Sequence, residues 1–259
     1  MKKKVTIIIL SIEILLLSTA MYIYYNGKNI APKTFKTSFI EIKSEKIPQN
    51  FNNFKILYFS DLEYGRYFNS DNLSELQKSI ETLDYDMILF GGDLIDKDYS
   101  PISDDVDILK KFFSSLKSPY GNFAIFGDYD QSTESRNILV RMILEDSGFE
   151  LIEKELIIYK DKQSIVLNGL NYNAEPLINP VTSFNITLIH NHNHYKSISS
   201  NADLILCGHT HSKQINLFSS ADYKFGLQNN LYITRGVGLT GKDYRIFSYP
   251  EICLFTLNQ

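Results

Sequence analysis

Hydrophobic and polar positions divide the chain into three regions. An almost continuous apolar run extends from Val5 to Tyr25, and a polar stretch follows it. Between about residues 54 and 149, short apolar runs alternate with stretches in which apolar residues recur at helical spacing. After residue 149, one short apolar run follows another. The pattern predicts an α/β first half and a mostly β second half.

Three stretches in the first half have helical periodicity: 72–83, 104–117 and 132–147. Asp71-Asn72 and Ser132-Thr133 supply N-cap residues for the first and the third of them. Strands are predicted in the second half at 150–153, 155–160, 164–170, 185–190, 203–207, 213–217, 231–234, 244–248 and 251–257. Continuous apolar runs are typical of strands in sheets covered on both faces. We therefore predict two packed sheets flanked by helices, a four-layer α/β/β/α sandwich.

The N-terminal region, residues 1–25, has the pattern of a membrane anchor. Lys2-Lys3-Lys4 precede 21 residues, Val5 to Tyr25, among which Glu13 is the one charge. At 1.5 Å per residue this run can cross a hydrocarbon core of about 30 Å. The lysines predict a cytoplasmic N-terminus, which places the rest outside the cell membrane. A cleaved signal peptide is the alternative, because Ser18-Thr19-Ala20 offers small residues for cleavage.

The remaining sequence is expected to form a short connection and one domain. Residues 26–53 are polar, contain Pro32 and Pro48, and include a partly alternating stretch at 39–42 that suits an edge strand. We interpret this segment as a stalk and edge strand. Residues 54–259 have a length that suits a single α/β domain.

Composition and charge exclude several classes of protein. With 44% hydrophobic and 22% charged residues, the chain is neither disordered, nor collagen-like, nor a polytopic membrane protein. Its net charge is −4, and 23 basic and 29 acidic residues remain, a charge of −6, once the first 25 residues are set aside. Nucleic-acid binding is not expected, since phosphate contacts need a basic surface. Cys207 and Cys253 lie in apolar runs and are predicted to be buried strand residues.

Metal-ligating residue types follow five of the apolar runs directly or after a short spacer. These residues are Asp61, Asp93, Asp128, His190 and His209. Ligand sites in open α/β sheets lie outside the carboxyl ends of strands, so these side chains are expected to converge. All five histidines of the chain fall in two clusters, 190–194 and 209–211. Mixed carboxylate and imidazole groups suit Mn, Fe or Zn, and a two-metal site suits in-line attack on phosphorus.

In these motifs the chain resembles the calcineurin-like metallophosphoesterases, particularly their bacterial membrane-anchored members, from about residue 36 onward. The motifs are Asp61-Leu62-Glu63, Gly92-Asp93-Leu94-Ile95-Asp96, Gly127-Asp128-Tyr129-Asp130, His190 and Gly208-His209-Thr210-His211. Arg235-Gly236-Val237-Gly238 is similar to the glycine-rich loop that follows them in the family. The resemblance implies a first metal held by Asp61, Glu63, Asp93 and His211. It implies a second held by Asp93, as the bridging ligand, with Asp128, His190 and His209.

Three positions depart from the family pattern. Glu63 stands where the family has His, Asp128 where it has Asn, and Tyr129 where it has the His that protonates the leaving oxygen. Four carboxylates and three imidazoles therefore form the expected ligand set, and two divalent ions with a bridging hydroxide would leave it net negative. This charge favours hard ions, Mn²⁺ first, with Mg, Fe and Zn as alternatives. It also favours slower turnover or a less charged substrate.

Tyr129 and Asp130 are the expected catalytic residues. A tyrosine of pKa about 10 donates a hydrogen bond but is a poor acid at neutral pH. His192 or His194 is an alternative acid, and Asp130 is expected to contact Tyr129 or solvent. The leading interpretation is an anchored enzyme that uses two ions to activate a hydroxide for attack on a phosphomonoester or phosphodiester. The alternative is a weakly active or inactive metal-binding module of the same fold in the cell envelope. Substrate identity and oligomeric state stay open.

Overall fold

The computed structural model describes residues 2–153, 155–170, 183–211, 214–215 and 225–259. Its first element is helix α1 (Lys2–Tyr25), which continues in helical turns to Lys33. Residues 3–33 are long and apolar enough to cross a membrane, and the most apolar part of this stretch is not buried against the domain. A membrane span and a signal sequence share these features.

The described residues form two six-stranded sheets at the centre of the domain. In spatial order, the first contains β1 (Lys36–Lys43), β12 (Glu251–Asn258), β2 (Phe54–Phe59), β3 (Met87–Phe90), β4 (Asn122–Ala124) and β5 (Phe149–Leu151). The second contains β10 (Gly226–Gln228), β11 (Leu231–Ile233), β9 (Leu204–Cys207), β8 (Asn185–Ile189), β7 (Gln163–Leu170) and β6 (Leu156–Lys160). Strands β2 to β5 run parallel in the first sheet, as do β7, β8, β9 and β11 in the second.

Helices cover the outer faces of both sheets. On the first sheet these are α2 (Ser70–Glu81), α3 (Ser103–Ser115) and α4 (Glu134–Asp146), and on the second it is the short α5 (Tyr195–Ile198). Alternate residues of β2 face opposite sides, because Leu57 and Phe59 pack under the helices whereas Ile56 and Tyr58 pack between the sheets. Residues of β9 and β11 pack with Ile198 of α5 on the far face. The predicted four-layer α/β/β/α sandwich is confirmed.

The predicted helices are present with shifted ends. α2 begins two residues earlier than predicted, because Asn69, and not Asp71 or Asn72, is its N-cap and accepts hydrogen bonds from their amides. Thr133 caps α4 as expected. The polar segment before residue 54 supplies β1, which pairs in parallel with β12 at the edge of the first sheet. Cys207 and Cys253 are buried and free, as predicted.

One predicted strand is wrong and another lies mostly outside the described residues. Residues 244–248 form no strand, since Arg245 turns its side chain inward and Phe247 has φ 54°, so the chain is not extended there. Of the predicted strand 213–217, only residues 214 and 215 are described. The sequence also missed β10, the short outer strand paired with β11.

Candidate metal centre

The parallel topology brings the polar side chains after five strands to one edge of the sandwich. Asp61 and Asp93 follow β2 and β3, and Asp128 lies four residues beyond β4. His190 and His209 follow β8 and β9 of the other sheet. Contacts across the gap between the sheets join the two groups, as His190 Nε2 lies 2.9 Å from Asp93 Oδ2. The predicted convergence at the carboxyl ends of the strands is therefore present.

Backbone strain is concentrated at this edge. Among the residues that the structure describes, nine other than glycine have φ in the left-handed region, and five of them belong to the predicted ligand set. These five are Asp61 (φ 56°), Glu63 (49°), Asp93 (54°), His209 (65°) and His211 (45°). Such conformations cost on the order of 1–3 kcal/mol each and persist where the surroundings impose them. The fold therefore holds these five residues in unfavourable backbone conformations that direct their side chains into the site.

Glycine is required where the loops after β3 and β4 touch. Gly92 has φ +88°, and a Cβ there would lie 2.2 Å from the backbone nitrogen of Gly127. A Cβ on Gly127 would lie 2.1 Å from Asp93 Oδ1. The two glycines therefore let the backbones that carry Asp93 and Asp128 pack directly against each other.

Gly92→Ala is expected to destabilise the fold by about 2–5 kcal/mol, because it adds a backbone clash to an unfavourable φ. Gly148→Ala is the matched control, since Gly148 has φ +85° but open space around its Cβ position. It should cost only about 1 kcal/mol. Urea unfolding followed by circular dichroism measures both. Equal losses of unfolding free energy would contradict the close approach described for Gly92.

Asp93 and His190 form the centre of the site. His190 Nδ1 lies 2.8 Å from the carbonyl of Gly91, so the N–H is placed on Nδ1 and Nε2 is left facing Asp93. The Tyr129 amide donates to Asp93 Oδ1 over 2.9 Å. Burial opposes the charged form of both groups. The attraction between the two charges outweighs it, so the pKa of Asp93 is lowered and the pKa of His190 is raised well above its ordinary value. This pair would hold a cation in the place of the proton.

The ligand atoms predicted for the second metal lie close together. Those of Asp93, His190 and His209 are all within 4.8 Å of one another. His209 Nδ1 lies 3.3 Å from Asp128 Oδ2, and the Asn191 amide donates to the same oxygen over 3.3 Å. The four predicted ligands of this metal are thus brought together, and Asn191 orients one of them.

The ligands predicted for the first metal meet beside them. His211 Nε2 lies 3.6 Å from Glu63 Oε1 and 3.7 Å from Asp61 Oδ1. All three residues are buried, and burial raises the pKa of Glu63 from its ordinary value to about 7. Glu63 Oε2 and His211 Nδ1 have no hydrogen-bond partner among the described residues. Buried carboxylate oxygens and imidazole nitrogens that lack a hydrogen-bond partner are suited to bind a divalent cation as its ligands.

Asp61 lies between the two groups of ligands. Its Oδ1 accepts the His209 amide at 2.8 Å and lies 3.9 Å from His190 Nε2. Its Oδ2 accepts the hydroxyl of Ser60. These two donors hold the Asp61 carboxylate in a fixed orientation toward the histidines of the second sheet.

Asp130 has a different position from the one expected. It does not contact solvent, since it is fully buried. Its carboxylate instead accepts the backbone amides of Asp93, Leu94 and Gly127 at 2.8–2.9 Å. Burial raises the pKa of Asp130 to about 6 although three amides favour its charged form. Asp130 therefore ties the loop after β3 to the loop after β4 and acts on the site by positioning Asp93.

Tyr129 borders the carboxylates. Burial, with the charges of Glu63, Asp93 and Asp128 nearby, raises its pKa, and the Lys97 ammonium lies 5.7 Å from its ring centre. A phenol with a raised pKa stays protonated at neutral pH and therefore keeps its hydrogen for donation to an oxygen. His192 and His194, the alternative acids, lie in a 3₁₀ turn on the loop after β8.

Arg245 is the main supporting residue that the sequence did not reveal. Its guanidinium is fully buried and donates to the carbonyls of Arg235, Gly236 and Gly238 at 2.6–3.1 Å. Gly236 in turn packs against Asp61, where a Cβ would lie 2.9 Å from the Asp61 Cβ. Burial lowers the pKa of Arg245 to about 9. A single arginine in an apolar run gives no local signal of this role, whereas Asn191 could have been found as the neighbour of a strand-end histidine.

The fold and the ligand set define a metallophosphoesterase-type protein, and comparison with known families agrees. The family profile of the calcineurin-like phosphoesterases matches residues 54–213. The chain belongs to this family, which implies a hydrolase that uses divalent metals.

Several relatives are similar along most of their length. The chain is 27% identical to the uncharacterized metallophosphoesterase YkuE of Bacillus subtilis, over 90% of this chain and 89% of that protein. It is 29% identical to phosphodiesterase YaeI of Escherichia coli, over 79% of this chain and 82% of that protein. It is 24% identical to UDP-2,3-diacylglucosamine pyrophosphatase LpxG of Chlamydia muridarum, over 88% and 91%.

Proposed function

We propose that the chain is a membrane-anchored phosphoesterase with a dinuclear metal centre. The observation that carries this proposal is the convergence of seven ligand-type side chains from both sheets, with buried donor atoms left unsatisfied among the described residues. Two of the three departures from the family pattern are at ligand positions, and both still hold a side chain that can bind a metal, Glu63 and Asp128, which a decaying site would more often have lost.

One group of residues would hold each ion, with Asp93 shared between them. The first group is Asp61, Glu63, Asp93 and His211, and the second is Asp93, Asp128, His190 and His209. Two divalent ions bound there would supply positive charge for the phosphoryl oxygens and lower the pKa of a bound water. Mn²⁺ is the ion we propose, because oxygen ligands outnumber nitrogen ligands in the set.

Other groups of the chain would orient the metal ligands and donate a hydrogen bond to the substrate. The contact of His190 Nδ1 with the Gly91 carbonyl fixes the N–H on Nδ1, so that Nε2 is the ring nitrogen that would bind a metal ion. Asp130 fixes the backbone amides around Asp93. The Tyr129 hydroxyl donates a hydrogen bond to the phosphoryl or leaving oxygen, in the place where the family has an imidazolium. Leaving-group protonation is therefore the step that we expect to be weak.

The charge of the site favours a phosphodiester over a phosphomonoester. A monoester carries about −1.5 to −2 at pH 7, whereas a diester carries one negative charge. The four carboxylates of the ligand set repel the more charged substrate more strongly. Two relatives, named a phosphodiesterase and a pyrophosphatase, support substrates with phosphorus linked on two sides.

The location is proposed to be the cell membrane, with α1 as a single span and the domain outside the cytoplasm. Lys2-Lys3-Lys4 support this orientation through the positive-inside rule. The segment that follows α1 is fixed to the domain, since the backbone amide of Arg245 donates to the carbonyl of Gly27 at 2.8 Å.

Metal removal tests the proposed function. The full chain in detergent, loaded with Mn²⁺, should hydrolyse bis-p-nitrophenyl phosphate faster than p-nitrophenyl phosphate. EDTA should abolish both activities, and Mn²⁺ should restore them. Bound metal by elemental analysis without turnover of either ester would favour the inactive metal-binding module. A chain that retains no divalent ion would contradict both functions.

A further inference from the structure

The strand directions place the exit of α1 at the same edge of the domain as the metal centre. β12 runs antiparallel to β2, so Glu251 at its start lies at the edge where β2 ends and Asp61 follows. β1 runs parallel to β12, and its first residue, Lys36, pairs with Glu251. The chain therefore enters the domain from α1 beside the ligand set and not at the opposite edge.

The loop of residues 240–250 packs directly on the end of α1. A groove between them is lined by Tyr22, Ile23, Asn26, Ile246, Phe247 and Tyr249. Gly27 is buried there, and a Cβ on it would lie 2.8 Å from the Arg245 carbonyl oxygen. Tyr22 lies three residues before Tyr25, the last residue of the apolar run, or about 4.5 Å along a helix axis. Once α1 spans a bilayer, this loop lies at the depth of the interface between acyl chains and headgroups.

Phe247 has the features of a membrane-inserting residue. Its side chain is 62% exposed, although it is large and apolar, and its φ of 54° is unfavourable for a residue of this kind. Tyr249 lies beside it, with the Lys36 ammonium 4.0 Å from the ring centre. Aromatic rings with polar neighbours are enriched at membrane interfaces. In a bilayer, lipid would cover the Phe247 ring, which is otherwise exposed to water.

Local charge complements an anionic membrane surface, in contrast to the acidic body of the chain. Residues 26–36 and 240–250 contain four exposed lysines, Lys28, Lys33, Lys36 and Lys242. Asp243 is the one acidic residue in these two segments, and it pairs with Lys28 at 3.0 Å. Exposed lysines at a membrane surface are attracted to anionic lipid headgroups.

We propose that Phe247, Tyr249 and these lysines form a docking surface for the bilayer in which α1 is inserted, so that the metal centre faces the lipid headgroups. The docking loop is linked to the site through Arg245, which donates to the Gly236 carbonyl, and Gly236 packs on Asp61. The proposal rests on the anchor given under Proposed function, and it adds the orientation of the domain. A phosphoester carried on a membrane lipid would then reach the site without leaving the bilayer.

Tryptophan fluorescence tests the docking surface, because the chain contains no tryptophan. Phe247→Trp is compared with Tyr159→Trp, a matched control that is 63% exposed. Tyr159 lies in β6 beside Lys160, whose carbonyl faces Asn50 at the opposite edge of the sandwich. Both full-length variants are reconstituted in vesicles of equal parts phosphatidylglycerol and brominated phosphatidylcholine, and circular dichroism checks that they fold.

We expect a blue-shifted emission and a large loss of fluorescence for the tryptophan at position 247, and neither change at position 159. Equal, unquenched signals from both variants in chains that float with the vesicles would overturn the docking surface and leave the anchor intact. Chains that do not float with the vesicles would overturn the anchor and, with it, the docking surface.

Discussion

Replacing Asp93 with alanine is expected to eliminate phosphoester hydrolysis. The loss of rate should be well beyond the roughly 10–100-fold that follows when a residue that only hydrogen-bonds to a metal ligand is removed. Asp93 is the carboxylate shared by both proposed ions, and it contacts His190 at 2.9 Å and the Tyr129 amide at 2.9 Å. Its removal leaves two imidazole-bearing ligand groups without their common negative charge. We therefore expect reduced metal content as well as lost turnover.

Two further variants separate this effect from general damage. Asp93→Asn keeps the volume of the side chain and an acceptor for the Tyr129 amide but loses the charge, and should be almost as inactive. Asp84→Asn removes a carboxylate that is 90% exposed and pairs with Lys55 on the surface, and should keep full activity. Rates with bis-p-nitrophenyl phosphate and elemental analysis measure the series. Full activity of a folded Asp93→Ala chain would contradict the assignment of Asp93.

Replacing Tyr129 with histidine is expected to raise the turnover rate at neutral pH by at least about tenfold, which is a part of the roughly 10²–10⁴-fold that a well-positioned acid can supply. The tyrosine borders Glu63, Asp93 and Asp128, and its raised pKa keeps its proton on the phenol. A histidine, with an ordinary pKa of about 6.5, would release a proton to the leaving oxygen more readily. The largest gain should appear with the phosphodiester that has the most basic leaving group.

Tyr129→Phe is the matched comparison, because it removes the hydroxyl and keeps the ring. If the hydroxyl donates to the substrate, its loss should lower the rate while the histidine variant raises it. Steady-state kinetics with substrates of graded leaving-group pKa would measure both. A histidine variant no faster than the wild-type chain would show that protonation of the leaving group does not limit turnover.

The layers of the fold could be predicted because each depends on a local pattern. Continuous apolar runs gave the covered strands, and helical spacing gave α2, α3 and α4. The wrong strand at 244–248 also followed from apolar content, since Ile246 and Phe247 look like strand residues. Its true conformation depends on Arg245, which finds its acceptors in a separate loop. A contact of this kind leaves no trace in local periodicity.

The candidate site could be predicted as a set of residue types but not as a set of contacts. Asp61, Asp93 and His190 are visible from sequence because each follows a buried run. Asp130 was expected near Tyr129 or solvent, yet it is buried among three backbone amides, because the loops after β3 and β4 pack together through Gly92 and Gly127. Only the folded chain shows which neighbour a carboxylate finds.

The proposed orientation of the domain on the membrane also depends on contacts that only the folded chain shows. The apolar run of α1 is long enough for a span, and the docking surface proposed above depends in addition on the antiparallel pairing of β12 with β2. That pairing brings the exposed lysines of residues 26–36, the loop that carries Phe247 and the metal centre to one edge.

Titration of the metal-free full chain with Mn²⁺ tests the central claim most directly, with bound ion followed by electron paramagnetic resonance and the initial rate of bis-p-nitrophenyl phosphate hydrolysis measured at each addition. A dinuclear phosphoesterase should show no turnover without the ion and a rate that reaches its plateau when two ions are bound per chain. Full turnover without any divalent ion, or two bound ions with no turnover at all, would contradict it.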